Sequence, residues 1–585
     1  MRRGQMLLWI LPLLLILSAC SLGNSAPGAP SDGSSVDQSG QSATPETQIP
    51  TPFSGQPAVV VRQVLPLLQK AAGEPTAPGP PPPSAGLTLY VDPHLPQGVS
   101  SALALPDWLS VSPNAQEASL LLSSGSDAAV GRWIYALVAP FPSIPSEVSA
   151  TDLKRAWQAK GGGPFSDAPL LMDEDTYRLW AQVWGEAEPG GVETIKTEKL
   201  LDEAWSRGTA WAIIPFEALE PRWKVLAVDD QAPVRVDFDP ADYALSLPLT
   251  VSGEGQLPDL ARRELGLDTD QPLIAGTNRD PGRLTTVVLT GVTALVRATA
   301  FTMEQRGVTY PAQDIRDILR SADILHISNE VPFARDCPFP DPVQEGLKFC
   351  SSPDYMGLLE DIGTDVVELT GDHFADWGRD AMDYTLDLYE KHDWPVYGGG
   401  RDLAAGKAPL TLEHNGNKIA FIGCNAKGGP FAQAGPSNPG AVPCDFDYMH
   451  TQIEKLRDQG YNVIATFQHF EYYTYQAQPN QVADSEGMAR AGAVIVSGSQ
   501  AHQPQAMEFF KDSFIHYGLG NLFFDQYDIS PATRQAFIDR HVFYDGRYIS
   551  TELIPIIFVD YARARPMKTD EAAELLNSVF LASGW

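Results

Sequence analysis

Tyr461-Asn462-Val463-Ile464-Ala465-Thr466-Phe467, followed by Gln468-His469-Phe470, reads as a buried strand that ends on a histidine. Its β-branched and aromatic residues suit a packed, pleated surface. The same pattern occurs twice more. Asp365–Leu369 leads into Thr370-Gly371-Asp372-His373, and Ala493–Ser497 leads into Gly498-Ser499-Gln500-Ala501-His502. In α/β folds the carboxyl ends of the strands face the ligand crevice. Three histidines and an acid carried there are expected to converge, although they are far apart in sequence. The stretch from Leu284 to Gln526 holds all three runs and is where function is expected.

Around these runs, strands and helices alternate. Leu284–Val292, Asp323–Ser328, Ser513–Tyr517 and Ile549–Val559 read as further strands. Ala312–Arg320, Asp376–Lys391, Asp447–Gln459 and Gln481–Ala491 read as helices, and Thr569 is expected to cap a terminal helix. Asn415-Gly416 between Leu410–Glu413 and Lys418–Gly423 is a hairpin signal. Residues 284–585 are therefore expected to form an α/β domain of mixed β-sheets covered by helices.

Upstream, residues 87–260 read as a smaller α/β domain, with strands at Leu87–Val91 and Leu120–Ser123 and helices at Ala150–Ala159 and Thr197–Ser206. Ser149 or Thr151 is expected to cap the first helix. Val138-Ala139-Pro140-Phe141-Pro142, and later Gly208–Phe216 with Pro221–Leu226, resemble stretches of phosphate-type periplasmic solute-binding proteins. The resemblance implies either a small-molecule or glycan-binding module or a spacer. Residues 261–283 read as a polar linker closed by Pro281-Gly282.

Residues 1–20 read as a lipoprotein signal peptide. Arg2 and Arg3 precede the apolar run Leu7–Leu17, and Leu17-Ser18-Ala19-Cys20 resembles a lipobox in which Cys20 is lipidated. Residues 21–86 are rich in Ser, Gly and Pro and read as a tether that cannot bury enough surface to fold. The expected location is extracytoplasmic, lipid-anchored to the cell membrane through Cys20. The net charge of −32 argues against nucleic acid as a partner, since phosphate backbones need clustered Lys and Arg.

Four further cysteines, Cys337, Cys350, Cys424 and Cys444, bracket two loops. An oxidising compartment favours two local disulfides, 337–350 and 424–444, over a zinc cluster, because no paired CxxC spacing is present.

Asp372, His373, His469 and His502 are residue types that bind divalent metal such as Zn, Mn or Fe. Without a metal they read as hydrogen-bonded histidines supporting turns. The run Glu471-Tyr472-Tyr473-Thr474-Tyr475 reads either as a face for an organic or sugar ligand or as rings packed on the domain.

The spacing of these motifs resembles the CapA (poly-γ-glutamate capsule synthesis) family, a branch of the calcineurin-like metallophosphatase superfamily. Ser328-Asn329-Glu330-Val331-Pro332, Gly371–Gly378, Gln468–Glu471, Gly498–His502 and Tyr517–Gln526 carry the resemblance. It implies that His373 is a general acid with Asp372 beside it. It also implies that Asp372, His469, His502 and, less strongly, Glu330 bind metal. The implied partners are a cell-surface polymer and its synthesis or export machinery.

Several positions depart from the family pattern, and Asp372 stands where the family carries Asn. Val292 stands where the family carries Asp, and Ser499 and Gln500 stand where it carries histidines. At most one ion is expected. Two functions remain open: a metal-dependent hydrolase, or a non-catalytic surface scaffold with a degenerate metal site.

Overall fold

A computed structural model describes Gly86–Trp585, apart from residues 102, 104, 106, 126–128, 162 and 167 and most of 255–275. The lipobox with Cys20, nearly all of the tether and the middle of the linker lie outside the described residues.

Two sheets position the site. The first runs Val396–Tyr397, Val366–Glu368, Ile324–Asn329, Leu284–Leu289, Gln535–Tyr544, Arg547–Phe558 and Ala564–Pro566 across its width. Its first four strands are parallel and the rest antiparallel. The second runs Leu410–His414, Asn417–Asn425, Asn462–Gln468, Ala493–Ser497, Ser513–His516 and Met507–Phe510. Its four central strands are parallel.

Alternate side chains of each strand point to opposite faces, and the two cores divide on that rule. Val287, Leu289, Ile324 and Val366 of the first sheet pack with Ile419, Phe421, Ile464 and Ile495 of the second. Their neighbours Val288, Leu325, Ile327 and Val367 instead pack against Met303, Leu319, Leu359 and Leu386 on helices. On the far face of the second sheet, Ala420, Ile422, Val463 and Ala465 pack against Ile453 and Met488. The order is helix, sheet, sheet, helix, so both sheets are covered and their strands read as nearly continuous apolar runs. The mixed sheets covered by helices match the expectation from sequence.

The expected hairpin forms. Asn415 and Gly416 both take positive φ, 47° and 76°, as a two-residue turn of this kind requires. The apolar run Leu284–Val292 does not stay one strand; it breaks after Leu289 and resumes at Val292–Thr293. Gly291 lies at the break, where a Cβ would come 1.8 Å from the Gly520 carbonyl. Lys568, not Thr569, occupies the cap position of the last helix. The Lys568 backbone N–H donates to the Glu571 carboxylate at 2.8 Å.

A ten-stranded mixed sheet occupies Leu87–Gly253. Its strand Gly131–Pro140 is buried over its last eight residues, as a central strand covered on both faces should be. Ser149 Oγ accepts from the Asp152 N–H at 3.0 Å and caps the helix Ala150–Trp157, one of the two caps expected. The core of this sheet also takes in Leu284, Val542, Tyr544 and Ile549 from later in the chain. The described residues, from Gly86 to Trp585, belong to one compact unit.

Candidate metal centre

The strand ends of both sheets meet at one place. Glu330 follows Ile324–Asn329, and Asp372 and His373 follow Val366–Glu368. From the second sheet come Lys427 after Asn417–Asn425, Glu471 after Asn462–Gln468 and His502 after Ala493–Ser497. Ligand atoms of Glu330, Glu471 and His502 lie within 4.8 Å of one another, and so do those of Glu330, Asp372 and His373. Gly371 allows this approach, because a Cβ there would lie 2.7 Å from Glu330 Cα.

Glu330 is the centre of the cluster. It is 1% exposed, and neither carboxylate oxygen has a hydrogen-bond partner among the described residues. Burial raises its pKa, against the pull of His502 and His373. His502 Nδ1 bonds Asn521 Oδ1 at 2.9 Å, and its Nε2 lies 3.4 Å from Glu471 Oε1. Burial alone would lower the His502 pKa, but Glu471 and Glu330 together raise it.

His373 Nδ1 is held by Asp376 Oδ2 at 2.7 Å, and Nε2 makes no hydrogen bond within the described residues. Burial opposes its charge, but Asp376, Glu330 and Asp372 outweigh burial and bring it up to about 9. Asp372 accepts from Gln468 Nε2 at 2.8 Å and lies 3.0 Å from Lys427 Nζ. The same ammonium bonds Glu471. Burial works against the charge of both and is outweighed: Asp372 and then Glu471 raise Lys427, and His502 and then Lys427 lower Glu471 from its ordinary range.

Each disulfide anchors one side of the cluster. Cys337 pairs with Cys350 and Cys424 with Cys444, as expected from the sequence. Phe349, next to Cys350, donates its N–H to Asp376 at 2.9 Å and packs its ring 5.0 Å from that of His373. Lys427 follows three residues after Cys424.

Four of the residues singled out in the sequence meet here: Glu330, Asp372, His373 and His502. His469 stands apart from the two ligand groups. Its Nε2 bonds Asp484 Oδ2 at 2.9 Å, and its Nδ1 accepts the Phe470 N–H at 3.0 Å. Glu471, two residues on, reaches the cluster instead. Val292 is fully buried among Ala294, Val296, Val331, Phe349 and Phe524. Ser499 donates to Glu368, and Gln500 donates to Ser328 at 2.5 Å, so both support the loop that carries His502. Glu471 and Lys427 were missed. Their one sequence signal is position: each is a charged residue a few places past an apolar strand.

Residues 286–526 match the family described as bacterial capsule synthesis protein PGA_cap. All the cluster residues fall inside the PGA_cap segment. The chain is 25% identical over 224 residues to the PGA biosynthesis protein CapA of Bacillus subtilis (strain 168), which covers 38% of this chain and 59% of that protein. It is 23% identical over 246 residues to the capsule biosynthesis protein CapA of Bacillus anthracis, covering 41% and 60%. The match thus spans about three fifths of each relative. Among solved structures, a 5′-nucleotidase precursor from Thermus thermophilus aligns with TM-score 0.29 at 11% identity, covering 52% of this chain and 58% of that one. An ABC-type phosphate transport receptor from Vibrio cholerae aligns with TM-score 0.25 at 10% identity, covering 32% and 94%.

Proposed function

We propose that this protein works in the synthesis or export of a capsule or poly-γ-glutamate-type polymer, outside the cytoplasm and anchored to the membrane by lipid on Cys20. In this reading Glu330, Glu471, His502 and Asp372 hold one divalent cation, and the site hydrolyses a bond in the polymer or in a precursor. The supporting observation is the buried Glu330 carboxylate, whose two oxygens have no hydrogen-bond partner among the described residues while two histidines and two further carboxylates surround it. An unpaired buried charge is costly. A cation there would relieve that cost, and mixed carboxylate and imidazole donors suit Mn, Zn or Fe.

Such a cation, when bound, would polarise the scissile group and make water more acidic. The protein's own groups supply the rest. Asp376 fixes the His373 ring through Nδ1, so Nε2 is the position that carries a transferable proton. Against burial, the Asp376 carboxylate favours the protonated ring, and in this reading His373 acts as the general acid toward the leaving group. Asn521 orients His502, and Gln468 orients Asp372.

One observation favours a second reading, a non-catalytic surface scaffold. Lys427 already neutralises Asp372 and Glu471. Metal content separates the two readings. Wild-type protein incubated with Mn or Zn and then desalted is expected to keep about one ion per chain, and His502→Ala to keep far less. A wild type that retains none would remove the hydrolase reading.

A further inference from the structure

We propose that a cavity between the strands Trp223–Val228 and Arg547–Phe558 is a binding site for a small carboxylate anion of acetate size. This inference is independent of the metal-centre reading. The cavity measures about 50 Å³. One water needs about 10–15 Å³ on this measure, so the space admits roughly four heavy atoms.

Its polar wall consists mostly of donors. Lys224 Nζ gives two of its three N–H bonds to the carbonyls of Ser143 and Ile144, at 2.8 and 3.1 Å, which leaves the third for the cavity it lines. Ser550 is 1% exposed, and its hydroxyl has no hydrogen-bond partner among the described residues. The one acid on the wall, Glu552, is already saturated. Arg235 Nη2 lies 2.7 Å from Glu552 Oε1, and Arg540 Nη1 lies 2.5 Å from Oε2. Of the two cations on the wall, Arg235 is hydrogen-bonded to Glu552, whereas Lys224 bonds only backbone carbonyls.

Burial pushes the Lys224 ammonium down to about 8, only partly opposed by the Glu552 carboxylate. Phe141, Val225, Leu576 and Phe580 supply apolar lining. They favour a monoanion with a methyl group over a doubly charged phosphate, whose desolvation they would not repay. The bound carboxylate accepts from Lys224 Nζ and the Ser550 hydroxyl, and its methyl rests on Phe141 and Phe580.

The test is thermal unfolding of the full chain at neutral pH in sodium acetate, compared with sodium chloride at equal ionic strength. Acetate is expected to raise Tm in a saturable way that chloride does not reproduce. Lys224→Met and Ser550→Ala are each expected to weaken the apparent acetate affinity by about tenfold or more, as loss of a hydrogen bond to a charged group implies. Ser550→Ala keeps every charge, so it stays informative if Lys224→Met folds poorly. No acetate-specific rise in the wild type, or an equal rise in both variants, would overturn the site. A phosphate effect as large as that of acetate would overturn the assignment to a carboxylate.

Discussion

Lys427 Nζ lies 3.0 Å from Asp372 Oδ2 and also bonds Glu471, so one ammonium joins the strand ends of the two sheets. Removing it leaves Glu330, Asp372 and Glu471 close together with only histidines to balance them. Lys427→Met is expected to cost about 2 kcal/mol in chelator, less than for a fully buried pair because the lysine is partly exposed. Added Mn or Zn should recover most of that loss. Melts with and without the cation check this; a variant as stable as wild type in chelator would show that Lys427 neutralises nothing.

Glu330→Gln should act in the opposite direction. The neutral amide removes the cost of a buried unpaired charge and presents N–H donors to the neighbouring carboxylates. In chelator its Tm is expected to rise, by an amount on the order of 1 kcal/mol in stability. Cation retention should fall at the same time. A lower Tm together with unchanged metal content would contradict the role given to Glu330.

Acid sensitivity is expected from His541. The ring is fully buried, with Nδ1 on Thr551 Oγ1 at 2.7 Å and no partner on Nε2 among the described residues. Burial, only partly opposed by Asp539, takes its pKa from 6.5 down to about 4. Between those values the unfolded chain binds the proton more tightly than the folded one. Stability is therefore intact above pH 6.5 and falls as the pH drops toward 4, by up to about 3 kcal/mol. Unfolding measured against pH should show this fall, and His541→Gln should flatten it.

The two disulfides should differ little in stability and both matter to the site. Their sequence separations are 13 and 20 residues. Loop-closure entropy gives about 3 kcal/mol for either. Cys424→Ala/Cys444→Ala frees the turn that carries Lys427, and Cys337→Ala/Cys350→Ala frees Phe349 from His373 and Asp376. Each double variant is expected to lose Tm and to shift cation affinity; unchanged affinity in both would separate the disulfides from the site.

Much of this was readable from the sequence because strand ends are where chain order and position in space coincide. Asp372, His373 and His502 follow clear apolar runs, and Glu330 follows another. His469 shows the limit of that rule. It follows its strand as directly as His373 does, yet past Gln468 the chain turns, so Glu471 faces the cluster while His469 pairs with Asp484. Lys427 sits in a glycine-rich loop with no periodicity to place it.

The strand Gln535–Tyr544 was not legible either, because Asp539, Arg540 and His541 interrupt its apolar pattern. Folding gives each a partner inside the protein: Asp539 bonds His516, Arg540 bonds Glu552 and His541 bonds Thr551. No property of that segment read alone announces those partners.

The core of the first ten strands is completed by Leu284, Val542, Tyr544 and Ile549. During synthesis those strands emerge hundreds of residues before the hairpin that seals them. Their apolar seam must therefore stay open until nearly the whole chain is made, so the earliest-made sheet is among the last to finish folding. A fragment cut before that hairpin would carry the seam permanently exposed.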